Sequence, residues 1–129
     1  YELSTEQQSD GTKRIMGIEA AIYEAINNDS FLLIDEIESS LHPDLIEYMI
    51  QEYLLKSNQS QLLITTHYPG FMNTIDNLIR KDNIWFVEKD KTGSTDLYSL
   101  VEFKGLNKIS RIERAYRNGQ FGALPKIKN

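Results

Sequence analysis

Two short apolar runs, Phe31 to Asp35 and Gln61 to Thr65, stand on either side of a helical stretch that opens at Pro43. Each run is too short for a helix, is bounded by polar turns, and reads as a buried strand. Between them, Pro43 suits a first helical position, and Leu45, Ile46, Met49, Ile50, Tyr53 and Leu54 repeat with the period of one helix face. Strand, helix and strand have the length and order of a right-handed crossover, so the two strands are expected to run parallel. That unit commits the chain to an α/β fold with ligands taken beyond the carboxyl ends of its strands.

The remaining segments fit around this unit. Thr12 to Asn27 predicts a helix, with Ile15, Ile18, Ile22 and Ile26 at three- and four-residue spacing and alanines between them. A short helix is expected from about Gly70 to Ile79. Ile84 to Glu88 and Thr95 to Val101 predict a hairpin around the turn Asp90-Lys91-Thr92-Gly93. Ile109 to Arg117 reads as a basic helix, Gly119 to Asn129 as an irregular tail, and the first ten residues as a loop. The 129 residues are enough for one modest core. A net charge of -5 argues against a dedicated nucleic-acid surface, although Lys104 to Arg117, with Lys108, Arg111 and Arg114, offers a local basic patch that reads first as a solvated helix face. There are no cysteines, which excludes a disulfide framework and a thiolate metal site and fits a cytoplasmic protein. The longest fully apolar run, Phe31 to Ile34, is far too short to span a bilayer, and no signal peptide is visible. The chain opens at Tyr1 without a Met, which reads as a piece of a longer protein.

Four features carry chemistry. The first strand ends in Asp35-Glu36. One carboxylate at such a crevice can hold Mg²⁺, which prefers oxygen ligands and keeps several waters. The next can orient or deprotonate an attacking water. Taken alone, the pair fits equally a strand that exits into a polar turn. His67 follows the neighbouring strand and can meet a γ-phosphate or orient the water through a ring nitrogen; alone, it reads as a loop histidine. Ser9-Asp10-Gly11-Thr12 precedes the first helix, whose free N–H groups suit phosphate, but these are also ordinary capping residues. Glu38-Ser39-Ser40-Leu41-His42-Pro43 comes directly after the acid pair and by itself reads as a loop leading into a helix.

In this order and at these distances, the four features resemble the C-terminal half of an ABC-type ATPase domain. Ser9-Asp10-Gly11-Thr12 resembles the signature loop, Phe31 to Glu36 the Walker B strand, Ser39-Ser40-Leu41-His42 the D-loop and His67 the switch histidine. The run Glu38 to Pro43 resembles the E-x-x-L-H-P loop of repair- and defence-type ATPases, and Ser-x-Gly-Thr-x-Arg through Arg14 points the same way. Arg80 to Lys89 and Gly119 to Pro125 resemble segments of bacterial AAA15/AAA21-type, RloA-like or abortive-infection ATPases.

The resemblance implies a partial P-loop NTPase (ABC ATPase-like) domain over residues 1–129, with parallel central strands flanked by helices and a C-terminal β-hairpin. It implies ATP and Mg²⁺ as cofactors, Asp35 in the metal shell, Glu36 as base on water, His67 as γ-phosphate sensor, and Ser9, Gly11 and Thr12 on the nucleotide of an opposite subunit. It further implies a homodimer closed by an ATP sandwich, a switch used in phage defence or DNA transactions, and a nuclease or other effector as partner, without a membrane partner. Two departures stand out. Asp10 occupies the place of a signature glycine, so its carboxylate is expected to turn away and cap the helix. The phosphate-binding loop G-x-x-x-x-G-K-[ST] does not occur: the seven glycines, at 11, 17, 70, 93, 105, 119 and 122, lack the required Lys spacing. The family places that loop upstream, so this piece alone is expected to be inactive. The alternatives are the ATP-binding subunit of an ABC transporter, against which Leu41-His42-Pro43 argues, and a non-enzymatic dimerisation module, against which the intact acid pair and His67 argue.

Overall fold

The computed structural model describes residues 9–39, 41–73, 79–106, 109 and 111–124. The chain divides into two compact units, Tyr1–Tyr68 and Pro69–Asn129, where the sequence reads as one domain.

The first unit is the crossover with a helix in front of it: α1 (Asp10–Asn27), β1 (Phe31–Ile34), α2 (Pro43–Lys56) and β2 (Gln61–Ile64). Helix α1 starts two residues before the predicted Thr12. Ser9 caps it by accepting from the Thr12 N–H at 3.2 Å. The expected cap, Asp10, is instead the first helical residue, and its charge sits at the helix's positive end. Ile18, Ile22 and Ala25 form the buried stripe of α1. The chain leaves α1 through Asp29 in a left-handed conformation, φ 48°, with the Ser30 N–H bonded to the Ala25 carbonyl at 3.0 Å. Helix α2 begins at Pro43 as predicted. His42 caps it through Nδ1, which accepts from the Asp44 N–H at 3.3 Å. Ile46, Met49, Ile50 and Tyr53 are its buried face. Leu54, assigned to that face by spacing, is 45% exposed because it sits at the edge of the stripe.

Strands β1 and β2 pair in parallel with Phe31 opposite Gln61 and Ile34 opposite Ile64, as the crossover demands. Each is one residue shorter than predicted, because Asp35 and Thr65 turn toward each other instead of continuing the ladder. The two strands are not buried throughout. Leu32 and Ile34 lie on the covered face with Leu62 and Ile64, while Phe31, Leu33 and Leu63 on the opposite face are 59%, 54% and 49% exposed. An unbroken apolar run is the pattern of a strand buried on both faces; among the described residues only one face of this pair is covered.

The second unit is built on an antiparallel hairpin of β3 (Trp85–Lys89) and β4 (Thr95–Ser99). β3 is shifted one residue from the predicted strand, since Ile84 caps a 3₁₀ turn over Lys81–Asn83. β4 stops two residues early, because Ser99 and Glu102 form a reciprocal capping box that folds Leu100–Glu102 into a 3₁₀ turn. The predicted turn at residues 90–93 is present. Asp90 Oδ1 accepts from the Thr92 and Ser94 N–H groups at 2.7 and 2.9 Å, and Gly93 supplies φ 89°. Of the helix expected from Gly70 to Ile79, a 3₁₀ turn over Pro69–Asn73 is present, and residues 74–78 lie outside the described set. Helix α3 (Ile112–Arg117) is three residues shorter than predicted at its start.

Phe86 is the centre of this core. It packs with buried Leu100, Leu106, Ile112, Ala115 and Phe121, and its ring stacks on Tyr116 and Phe121 at 5.7 and 5.9 Å between centroids. Residues 119–124 are irregular, as predicted of the tail, but docked; the rest of the tail lies outside the described residues. The Tyr98 hydroxyl donates to the Phe121 carbonyl at 2.8 Å, and the Tyr116 hydroxyl to that of Ala123 at 3.0 Å. The Ala123 N–H donates to Glu88 Oε2 at 3.3 Å. Among the described residues, no helix is long and apolar enough to cross a membrane.

Candidate functional site at the carboxyl ends of the parallel strands

Because β1 and β2 are adjacent and parallel, the residues that leave their carboxyl ends emerge at the same place. After β1 come Asp35 and Glu36; after β2 come Thr65, Thr66 and His67. His67 Nε2 lies 3.6 Å from Glu36 Oε1, with side chains 85% and 59% exposed, so the pair faces solvent and is a charged contact when the imidazole is protonated. Asp35 is also exposed. The strand ends thus bring together three residues singled out by the sequence. Ser9, Gly11 and Thr12 are at the amino end of α1, where the Ser9 and Thr12 hydroxyls lie 2.8 Å apart. The D-loop residue Ser40 is outside the described set, as are Lys108 of the basic stretch and Pro125 of the tail. Leu41 is buried, and His42 serves as the α2 cap.

Three residues without a predicted role hold this site. The Thr65 hydroxyl donates to Asp35 Oδ1 and accepts from the Glu36 N–H at 2.9 Å, so one hydroxyl uses both its donor and its acceptor side on the acid pair. The Thr65 backbone continues the clamp. Its N–H bonds to the Ile34 carbonyl at 3.0 Å, and its carbonyl accepts from the Ile37 N–H at 3.2 Å. Its signal in the sequence was its place one step beyond Ile64, opposite Asp35.

Glu38 is the second. Its Oε1 accepts from the His67 N–H at 2.6 Å, tying the histidine's backbone to the loop after the acid pair. Burial pushes the Glu38 carboxyl up. The His67 amide, its own amide, the Thr66 hydroxyl and the His67 ring outweigh that and hold it below its ordinary value. The E-x-x-L-H-P spacing marked the position, but not its partner at His67.

Arg14 is the third. One guanidinium nitrogen, Nη2, donates to the carbonyls of Asp35 and Glu36 at 3.2 and 2.9 Å. The sequence did carry a signal here: positions 14, 18, 22 and 25 lie on one helix face, so Arg14 is a charge on an otherwise apolar stripe.

The backbone of the acid pair is itself unusual. Glu36 has φ 46°, in the left-handed region that a long side chain seldom adopts. Such a residue persists only where its surroundings over-determine it. Here the Glu36 N–H is held by Thr65, and its carbonyl accepts from Arg14 and from the Ser39 N–H, the latter at 2.9 Å.

The donor set suits a hydrated hard cation. Asp35 presents an exposed carboxylate with one oxygen oriented by Thr65. Among the described residues there is no group of three or more His, Cys, Asp or Glu able to cage a metal on its own. A single oriented carboxylate, with water and phosphate completing the shell, is how proteins usually take Mg²⁺.

The parallel crossover thus ends in an oriented acid pair beside a histidine. Residues 1–73 match the family described as AAA domain, putative AbiEii toxin, Type IV TA system, and the chain belongs to that family. No curated protein matches the chain.

Proposed function

We propose that the full-length protein containing these residues binds and hydrolyses ATP, with Asp35, Glu36 and His67 forming the metal and water side of the site. The observation that carries this reading is the meeting of Glu36 and His67, 3.6 Å apart, at the ends of adjacent parallel strands beside Asp35. Mg²⁺, when bound with ATP, would neutralise charge on the phosphates while water displaces ADP from the terminal phosphoryl group. Asp35 would hold that cation through its carboxylate, one oxygen of which Thr65 orients. Glu36 takes a proton from the attacking water on its carboxylate. His67, exposed and anchored through its own N–H by Glu38, orients that water or the terminal phosphate from the other side. Ser9, Gly11 and Thr12, at the amino end of α1, offer N–H groups and hydroxyls to the phosphates of a nucleotide held by a second subunit. The homodimer closed in this way is the moving part, acting on a nuclease or other effector; the family description favours a toxin–antitoxin or abortive-infection setting.

The test is steady-state turnover of the full-length protein, of Glu36→Gln within it, and of the 129-residue chain alone. Full-length protein is expected to hydrolyse ATP. Glu36→Gln is expected to lose about 10² to 10⁴ in kcat while still binding nucleotide, as for removal of a general base. The short chain, which contains no G-x-x-x-x-G-K-[ST] run, is expected to show no turnover. Undiminished turnover by Glu36→Gln would sink the assignment.

A further inference from the structure

The contacts of Arg14 go beyond the roles given to the acid pair and to the amino end of α1. We infer that Arg14 is a positioning residue that sets the backbone beneath Asp35 and Glu36, and so ties the conformation of the catalytic carboxylates to the helix that begins at Ser9. The inference deepens the proposed ATPase reading and rests on it.

Four observations support it. The two Nη2 contacts, at 3.2 and 2.9 Å, go to the carbonyls of the two acidic residues themselves, not to the strand before them or the loop after. The Glu36 carbonyl is where the left-handed turn, φ 46°, must be held, because rotation of that peptide would release the turn and swing the Glu36 side chain off its line to His67. The guanidinium comes from the second turn of α1, only three residues after Gly11. A displacement at the amino end of the helix therefore reaches the acid pair through one side chain, with no flexible segment between. Finally, Arg14 Nε is buried and has no hydrogen-bond partner among the described residues. The hydrogen bonds that hold the guanidinium are those of Nη2 to this one pair of carbonyls.

Lysine and glutamine separate the possible roles of this residue. Glutamine removes the charge and the fork. Lysine keeps the charge as a point donor without the planar geometry. If Arg14 aligns the general base, Arg14→Gln in the full-length protein lowers kcat by about tenfold to a hundredfold, the scale of an ångström-sized misplacement. The KM for ATP then stays within about threefold, because binding is not what has been lost. Arg14→Lys recovers part of that kcat. A second readout does not depend on turnover: hydrogen exchange of peptides covering residues 34–39, followed by mass spectrometry on the same proteins. Faster exchange at 34–39 in Arg14→Gln, with residues 61–64 unchanged, is expected, because the Glu36 carbonyl that accepts from the Ser39 N–H loses its second anchor.

Full kcat in Arg14→Gln, or unchanged exchange at 34–39, overturns the inference. So does a kcat loss that merely tracks a fall in melting temperature and is not eased by lysine, since that is the behaviour of a fold contact. Absence of turnover in the wild-type protein would overturn the ATPase reading instead, and the exchange measurement would still decide whether Arg14 fixes the acid-pair backbone.

Discussion

At the scale of single residues, the site is a small polar network in which each member restrains a neighbour. Thr65 does the most with the fewest atoms, because its hydroxyl both donates to Asp35 and accepts from Glu36. Thr65→Val keeps the shape but leaves the Glu36 N–H without an acceptor. It should cost about 0.5–1.5 kcal/mol in stability, the net worth of a hydrogen bond whose lost acceptor water can replace at this exposed site, and should lower ATP turnover of the full-length protein. Thr65→Ser retains the hydroxyl and should retain most of both. Thermal melting and turnover of the two variants check this, and equal behaviour of Val and Ser would mean that the hydroxyl is idle. Glu38 makes a prediction about acid. Its carboxyl is held below the ordinary value of 4.5 when folded, so the folded state binds that proton less readily than the unfolded chain. The stabilisation is complete above about pH 4.5 and is lost as pH falls through the lower folded value. Glu38→Gln should flatten the melting-temperature profile below about pH 4.5; an unchanged acid limb would show that other carboxylates control it.

Among the elements, the clearest lesson lies in what the strand ends do. The crossover was legible because it rests on period and length: an apolar run, a Pro-started amphipathic helix and a second run leave little choice but parallel pairing, and Ile34 does lie opposite Ile64. The Asp35–Glu36–His67 meeting was legible for the same reason, since parallel neighbours share their carboxyl ends. What could not be read was the clamp around it. Arg14 and Glu38 act across 22 and 29 residues of sequence, and neither spacing nor propensity reports a side chain's tertiary acceptor. Thr65 was visible as part of the second strand, but its double role depends on the chain leaving the ladder one residue early. In the hairpin unit the element boundaries moved where local capping competed with strand propensity, as at Ser99 and Glu102. The hairpin also carries a sharp packing prediction. Gly122 has φ 71°, and a Cβ there would lie 2.7 Å from the Tyr98 hydroxyl and 3.0 Å from Glu88 Oε2. Gly122→Ala should therefore destabilise by about 1–3 kcal/mol, from strain and overpacking together. It should also speed exchange at residues 119–124, as hydrogen exchange would show.

Taken whole, the chain is acidic, at -5, and its basic side chains in and near α3 are partly paired internally: Arg117 meets Glu113 at 2.8 Å. This acidic balance argues against a dedicated nucleic-acid surface, which is usually basic. Fluorescence anisotropy with a labelled DNA duplex at about 0.15 M salt is expected to show no binding by the 129-residue chain, and tight, salt-sensitive binding would refute this.

The left-handed Glu36 has one more implication, for anyone who selects this protein for robustness. Asn accepts that conformation far more readily than Glu, so Glu36→Asn relieves local strain while deleting the longer carboxylate. On the role proposed for Glu36, a library screened only for heat resistance would enrich that change, and with it proteins expected to survive better and to turn over less. Here durability and activity pull in opposite directions at a single backbone angle.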